Sequence, residues 1–426
     1  MYIRGLMQRV LSLVVLVCLA GCSAATPLPE DATVPPRTSA VALTPTAAHT
    51  RTSAAKTIAA PGVATDRPSS EGGDATATHA ATVAAAAPTV VETAPVAVAV
   101  PPATRSDYWP TDGWRTSTPE QHGVDAEQLE RMFSVIDERG LNVHSVLVIR
   151  DGYIIAERYY APFDQDTRHP LYSVTKSFIS ALIGIAVAGG FIDGLDSQVV
   201  GFFPGREFAN LDDRKAAMTL EHPLTMTSGL DWAEGVPTYQ EMARTRDWVH
   251  YVLDKPMVAE PGTQFNYCSG CSHIMSAIIQ KTTGIGTLAF AERVLFGPLG
   301  ISNVDWETDG TGIPNGGWGL NLTPRDMAKL GLLYLNDGFW DGQQVVPPAW
   351  VQASVSDGVD TGDGWRYGYQ WWLDPSNGRF AAIGLASQLI YVIPELNMVV
   401  VFTAALGDNS VLFDLVDDYL VSGTEK

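Results

Sequence analysis

Apolar and polar positions divide the chain into three regimes. Val10 to Ala20 is an almost uninterrupted apolar run. Residues 23–106 show neither a helical nor a strand period. From Asp107 onward both periods appear. Leu129, Met132, Phe133 and Ile136 mark one face of a helix that Asp125 can cap and that runs to about Arg139. "VHSVLVIR" and "YIIAERYY" alternate as strands on either side of Asp151-Gly152, a type I′ hairpin signal. Ser173 to Val187 predicts a helix apolar on every side, hence interior, ended by Gly189-Gly190. Residues 195–355 read as helices joined by Gly/Pro loops. The tail returns to strands in "YGYQWW", "RFAAIG", "QLIYVI" and "MVVVFTAA", with a last helix from about Asn409 to Val421. Strands at both ends of this region predict an α+β fold: one antiparallel sheet from both termini, flanked by helices, with an inserted all-helical lobe.

Composition adds the context of export. Arg4 and Arg9 precede the apolar run, which falls short of the ~20 residues that span a bilayer and fits a secretory signal. Leu19-Ala20-Gly21-Cys22 closes it and resembles a bacterial lipoprotein signal, which implies that residues 1–22 form the signal and that Cys22 carries the lipid. Residues 23–106 are rich in Ala, Thr, Pro and Val and poor in aromatics. Such a linker has too little to bury against its ordering entropy, so disorder and a reach of about 50 Å root-mean-square are expected. Residues 107–426 turn globular in composition and are long enough for one large domain or two intimately packed halves. The chain holds 47 acidic against 27 basic residues, and the whole of that excess lies in the domain, with 41 acidic against 20 basic residues. This charge disfavours nucleic acid as a partner and leaves no polybasic face for anionic lipid. The expectation is an exported, lipid-anchored, extracytoplasmic monomer acting on a small molecule. Four cysteines, Cys18, Cys22, Cys268 and Cys271, supply no disulfide framework.

Two Ser-x-x-Lys pairs occur, where chance gives roughly one or two in such a length. Ser53 and Lys56 lie in the linker, with no fold to hold them together. Ser173 and Lys176 start the interior helix, one turn apart on one face. Burial there lowers a lysine pKa, and a neutral lysine can serve as general base to a serine nucleophile. "PGTQFNYCSG" adds Tyr267, able to share proton transfer, and Ser269, expected to face the same way on an extended segment. The similar Tyr334-Leu335-Asn336 ends a helix and reads as packing and capping.

With those residues in place, the domain resembles the serine β-lactamase and penicillin-binding-protein superfamily, in the class C β-lactamase-related branch that includes esterases and 6-aminohexanoate-dimer hydrolases. "YSVTKSF", "LTMTSGLDW", "PGTQFNYCSG", "LFGPLGI", "GWGLNLTPRDMAKLGLLYLNDG" and "YGYQWW" follow in the family's order. The resemblance implies that Ser173 is acylated, that Lys176 and Tyr267 relay its proton, and that Ser269 matches the third position of the family's tyrosine motif. It further implies an oxyanion hole from the N–H groups of Ser173 and Leu385, and a substrate-binding segment containing Ala382, Gly384 and Gln388. Ala382 stands where the family carries Lys or His. Loss of that cation argues against β-lactam turnover and for an esterase or amidase on small substrates. The alternatives are a D-Ala-D-Ala carboxypeptidase or β-lactamase, and an inactive envelope-binding lipoprotein of the same fold. No cofactor or metal is implied.

The remaining candidates are weaker. His222 is expected to bond locally. Cys268-x-x-Cys271 beside His273 is compatible with a metal, a redox pair or a local disulfide, and reads best as two small buried residues. Trp232, Trp371 and Trp372 are expected in the core or at the cleft rim.

Overall fold

The computed structural model describes residues 108–425. Cys22, Ser53 and Lys56 lie outside the described residues. Asp125 caps helix α1 (Ala126–Glu138) by accepting from the amides of Glu127 and Gln128, and Leu129, Met132, Phe133 and Ile136 are its buried face. Strands β1 (Val143–Arg150) and β2 (Tyr153–Tyr159) form the expected hairpin, with φ of 54° at Asp151 and 84° at Gly152. Positive φ at both turn positions gives the twist that joins two such strands.

Tyr172–Val174 forms a 3₁₀ turn that leads into helix α2 (Thr175–Ala188). Ser173 therefore sits in that turn, just before the α-helix rather than at its first residue. Eleven of the fourteen α2 residues are buried, as its all-round apolarity requires. Helices α3 (Ser269–Thr283) and α4 (Pro324–Leu335) follow. The middle of the chain also contains two-residue strand pieces and a short sheet of His169–Pro170, Leu320–Leu322 and Asp305–Trp306. Such brief pairings leave no sequence period to find.

The tail supplies β3 (Val359–Asp360), β4 (Arg366–Tyr367), β5 (Trp372–Leu373), β6 (Phe380–Gly384), β7 (Gln388–Ile393) and β8 (Met398–Ala404). "YGYQWW" is thus two strands, parted where Gln370 adopts φ 63°. Helix α5 (Ser410–Leu415) continues as a π turn over Val416–Val421. The eight-stranded sheet runs β2-β1-β8-β7-β6-β5-β4-β3, with every neighbour antiparallel.

Alternation decides how the sheet packs. Val399 and Val401 of β8 join the core that holds α2, α3 and α4, whereas Met398, Val400 and Phe402 join the core beneath α1 and α5. Ile390 and Val392 of β7 face the first core, Leu389, Tyr391 and Ile393 the second. Both faces are buried, so the central strands read as continuous apolar runs. Gly331 lets α4 lie close on the sheet: a Cβ there would come within 2.6 Å of Val399 and 2.8 Å of Ile390.

Candidate active site

Three structural neighbours bring the candidate residues together: the start of α2, the start of α3 and the end of β6. Lys176 is 1% exposed, and its ammonium nitrogen lies 3.0 Å from Ser173 Oγ, 2.9 Å from Ser269 Oγ and 2.6 Å from the Gly317 carbonyl oxygen. Burial lowers its pKa to about 8, against the opposing pull of the Glu234 carboxylate. The Tyr267 ring centroid is 4.9 Å from the same nitrogen. Burial raises the Tyr267 phenol, Glu234 raises it further, and hydrogen bonds with Ser173 and Tyr367 partly offset this. The phenol is therefore protonated at neutral pH. Ser173 itself is partly exposed and open to a reacting carbonyl.

Helix α3 positions two members of the group. Ser269 is its first residue, with Cys268 in extended conformation at the N-cap. The expected extended stretch through Ser269 is instead a helix start, and the turn of the chain there aims Ser269 at Lys176. Cys268 and Cys271 are fully buried, but they are not separate fillers: a disulfide joins them across 5.2 Å between Cα atoms. A CxxC at a helix start brings the two Cα atoms within bridging range. The bridge closes one helical turn between the Tyr267–Ser269 pair and the body of α3, so it is local and no framework for the fold.

At the end of β6, a Cβ on Gly384 would lie 2.3 Å from the Leu171 carbonyl oxygen. Glycine at that point lets the strand end reach the turn carrying Ser173. Leu385 follows at once, so its amide and that of Ser173 come from adjoining segments. Ala382 and Gln388 differ from expectation. Ala382 is 1% exposed and pairs with Ile390, and Gln388 is 2% exposed and donates to the carbonyls of Ala404 (2.6 Å) and Ala386 (3.3 Å). Strand alternation turns Ala382 into the core, and Gln388 braces the β6–β7 connection. Neither offers a surface to a substrate.

The other candidates separate cleanly. Tyr334 is buried against Trp371, with Asn336 capping α4. His222 Nδ1 accepts from the Thr219 amide at 2.9 Å. His273 pairs with Asp309 at 3.3 Å, both side chains wholly buried, and among the described residues no His/Cys/Asp/Glu group has the makings of a metal site. Trp371 is core, whereas Trp372 stacks beside Tyr267 at 5.8 Å.

One residue near the site escaped sequence reasoning. Glu234 accepts from the Ser269 hydroxyl and, at 3.1 Å, the Ser269 amide; Tyr239 O–H and Trp232 Nε1–H each donate to it at 2.5 Å. A glutamate in a loop carries no period. The only available hint was its position two residues beyond Trp232 in the "LTMTSGLDW" stretch. Gly317 opens the "GWGLNL" stretch, but its role was equally invisible, because it contributes a backbone carbonyl. Tyr239 and Trp318, with ring centroids 4.7 Å apart, add an aromatic wall beside Glu234.

Residues 129–419 match the family profile described as Beta-lactamase. The chain is 25% identical over 286 residues to a 6-aminohexanoate-dimer hydrolase of Paenarthrobacter ureafaciens, covering 62% of this chain and 72% of that protein. It is 26% identical over 181 residues to a D-aminopeptidase of Cereibacter sphaeroides, covering 38% of this chain and only 32% of that protein. Among solved structures, EstCE1, a hydrolase with promiscuous acyltransferase activity, superposes with a TM-score of 0.58 at 18% identity, over 69% of this chain and 98% of that one.

Proposed function

The chain belongs to the β-lactamase family, and from that premise we propose a serine hydrolase that works through a covalent acyl-enzyme on a small ester or amide. The observation that carries the reading is Lys176, buried and depressed to about 8, at 3.0 Å from the Ser173 hydroxyl. Ser173 Oγ forms a bond to the substrate carbonyl carbon while its proton passes to Lys176. The amides of Ser173 and Leu385 receive the developing oxyanion. The ester or amide bond then breaks, and a proton reaches the leaving group through Tyr267, whose protonated phenol suits that role. Water repeats the sequence, releasing a carboxylic acid and restoring Ser173.

Substrate class follows from what surrounds these groups. Ala382 provides no cation for a substrate carboxylate, and the aromatic rings of Tyr267, Trp372, Tyr239 and Trp318 favour uncharged or apolar groups. This supports esterase or amide-oligomer hydrolase activity over β-lactam hydrolysis. Incubating the protein with a fluorophosphonate should label Ser173, located by peptide mass spectrometry. Absence of label on folded protein would instead favour an inactive binding lipoprotein. For the outer part of the chain we propose lipidation at Cys22 and attachment to the cell envelope. A Cys22→Ser chain expressed in its bacterial host should leave the membrane fraction, and unchanged membrane association would exclude that anchor.

A further inference from the structure

Hydrogen-bond donors and acceptors around Lys176 can be counted. We propose that Glu234 is a positioning residue that fixes the direction of the proton chain, so that the lone pair of neutral Lys176 faces Ser173 alone. The proposal rests on the serine-hydrolase reading above.

Glu234 meets four donors with two oxygens. Tyr239 O–H and the Ser269 hydroxyl reach Oε1, while Trp232 N–H and the Ser269 amide reach Oε2. Trp232 and the amide can only donate, so Oε2 must accept, as a carboxylate does. Ser269 has a single hydroxyl proton, and a carboxylate is a stronger acceptor than an amine lone pair. That proton therefore points at Glu234. Toward Lys176, 2.9 Å away, Ser269 Oγ can then only accept.

Gly317 supplies a carbonyl oxygen, which also only accepts, at 2.6 Å. A neutral lysine has two N–H bonds and one lone pair. Its N–H bonds go to Ser269 Oγ and the Gly317 oxygen, which leaves the lone pair for the third neighbour, Ser173 Oγ at 3.0 Å. Without the carboxylate, Ser269 is free to turn its proton to Lys176 and occupy the lone pair, a state in which Ser173 has no base. Glu234 touches neither Lys176 nor Ser173 in this chain of contacts; it acts through Ser269.

The carboxylate also acts on Lys176 through its charge. The other titratable groups facing the lysine are the phenols Tyr267 and, behind it, Tyr367, with Tyr239 on the far side of Glu234. Glu234 is thus the charged group that favours the ammonium, in opposition to burial. Removing it should move the acid limb of the kcat/KM profile to lower pH. Simple loosening of the pocket would admit water to Lys176 and move that limb up.

The test is kcat and the pH profile of p-nitrophenyl acetate hydrolysis in wild type, Glu234→Gln, Ser269→Ala and the double variant, with near-ultraviolet circular dichroism to verify folding. Glu234→Gln keeps the shape, with the amide oxygen accepting from Trp232 and the Ser269 amide and the NH₂ facing the Tyr239 and Ser269 hydroxyls, which turn to accept and free the Ser269 proton for Lys176. We expect kcat about tenfold lower in Glu234→Gln, with the acid limb about half a unit lower in pH. In the Ser269→Ala background the same substitution should cost little further kcat, because the hydroxyl through which it acts is gone. Glu234→Asp should recover part of the loss. A limb that stays or rises, or a full kcat loss persisting in the Ser269→Ala background, overturns the proposal. If Glu234→Gln fails to fold, Glu234→Asp carries the test: its kcat loss must largely vanish in the Ser269→Ala background, since Glu234 reaches the lysine through the Ser269 hydroxyl. A loss that persists undiminished in that background would overturn the role of the carboxylate. Lack of fluorophosphonate label on wild-type Ser173 would instead overturn the hydrolase reading beneath it.

Discussion

Lys176 concentrates the chemistry and the thermodynamic cost of the site in one side chain. Its pKa falls from 10.5 to about 8 because burial disfavours the ammonium more than Glu234 favours it. As base it must be neutral, so kcat/KM for an ester should rise with pH up to about 8 and level off above; a profile flat from pH 6 to 9 would remove Lys176 from that role. The same shift has a stability consequence of definite sign. Between about 8 and 10.5 the unfolded chain binds more protons than the folded one, so stability increases with pH across that window. Below it, the buried ammonium costs roughly 3 kcal/mol. Lys176→Met should therefore raise the thermal midpoint near pH 7, less what the orphaned Ser269 and Gly317 oxygens cost. Its advantage should shrink steadily toward pH 10.5. A difference independent of pH in calorimetric scans would contradict the depressed pKa.

Among the elements, the end of β6 is where tight packing bears most directly on the site. Gly384 meets the Leu171 carbonyl, two residues before Ser173, at a distance no side chain can enter. Gly384→Ala must push the strand end or the Tyr172–Val174 turn outward, and a shift of that kind separates the two oxyanion amides. Activity should fall by about 100-fold while the unfolding midpoint in urea moves modestly. Activity near wild type would show that the Leu385 amide has no part in catalysis. The Cys268–Cys271 bridge is the counterpart on α3, holding the first turn beside Tyr267 and Ser269.

For the whole molecule, the order of the sheet is decisive. β8, near the C-terminus, lies between β1 and β7 and packs against both cores. A chain ending after residue 396 loses a central strand and exposes the edges of β1 and β7 to aggregation. It should accumulate as insoluble material, as sedimentation of expressed protein would reveal; a soluble, monomeric product would mean that the two halves fold independently. By contrast, removing residues 1–106 should leave esterase activity intact, since the described site draws only on residues from 171 onward.

Local periodicity determined much of this molecule before any tertiary contact was known. The α1 face and cap, the Asp151-Gly152 hairpin, the interior α2 and the apolar runs of β7 and β8 follow from side-chain spacing, because each pattern has only one way to bury itself. Ser173, Lys176, Tyr267 and Ser269 were legible as candidates because motif residues keep fixed offsets along the chain, even where, as at Tyr267, the backbone is irregular. Contacts without a period were not legible. Glu234 approaches Ser269 from a loop, Gly317 contributes only its carbonyl, and the burial of Ala382 and Gln388 depends on which face of a hairpin they occupy. The sequence by itself therefore determined which groups could react. Only the tertiary structure decided the directions of their hydrogen bonds and the burial of the lysine, because both depend on chain segments that meet across 35 to 141 residues.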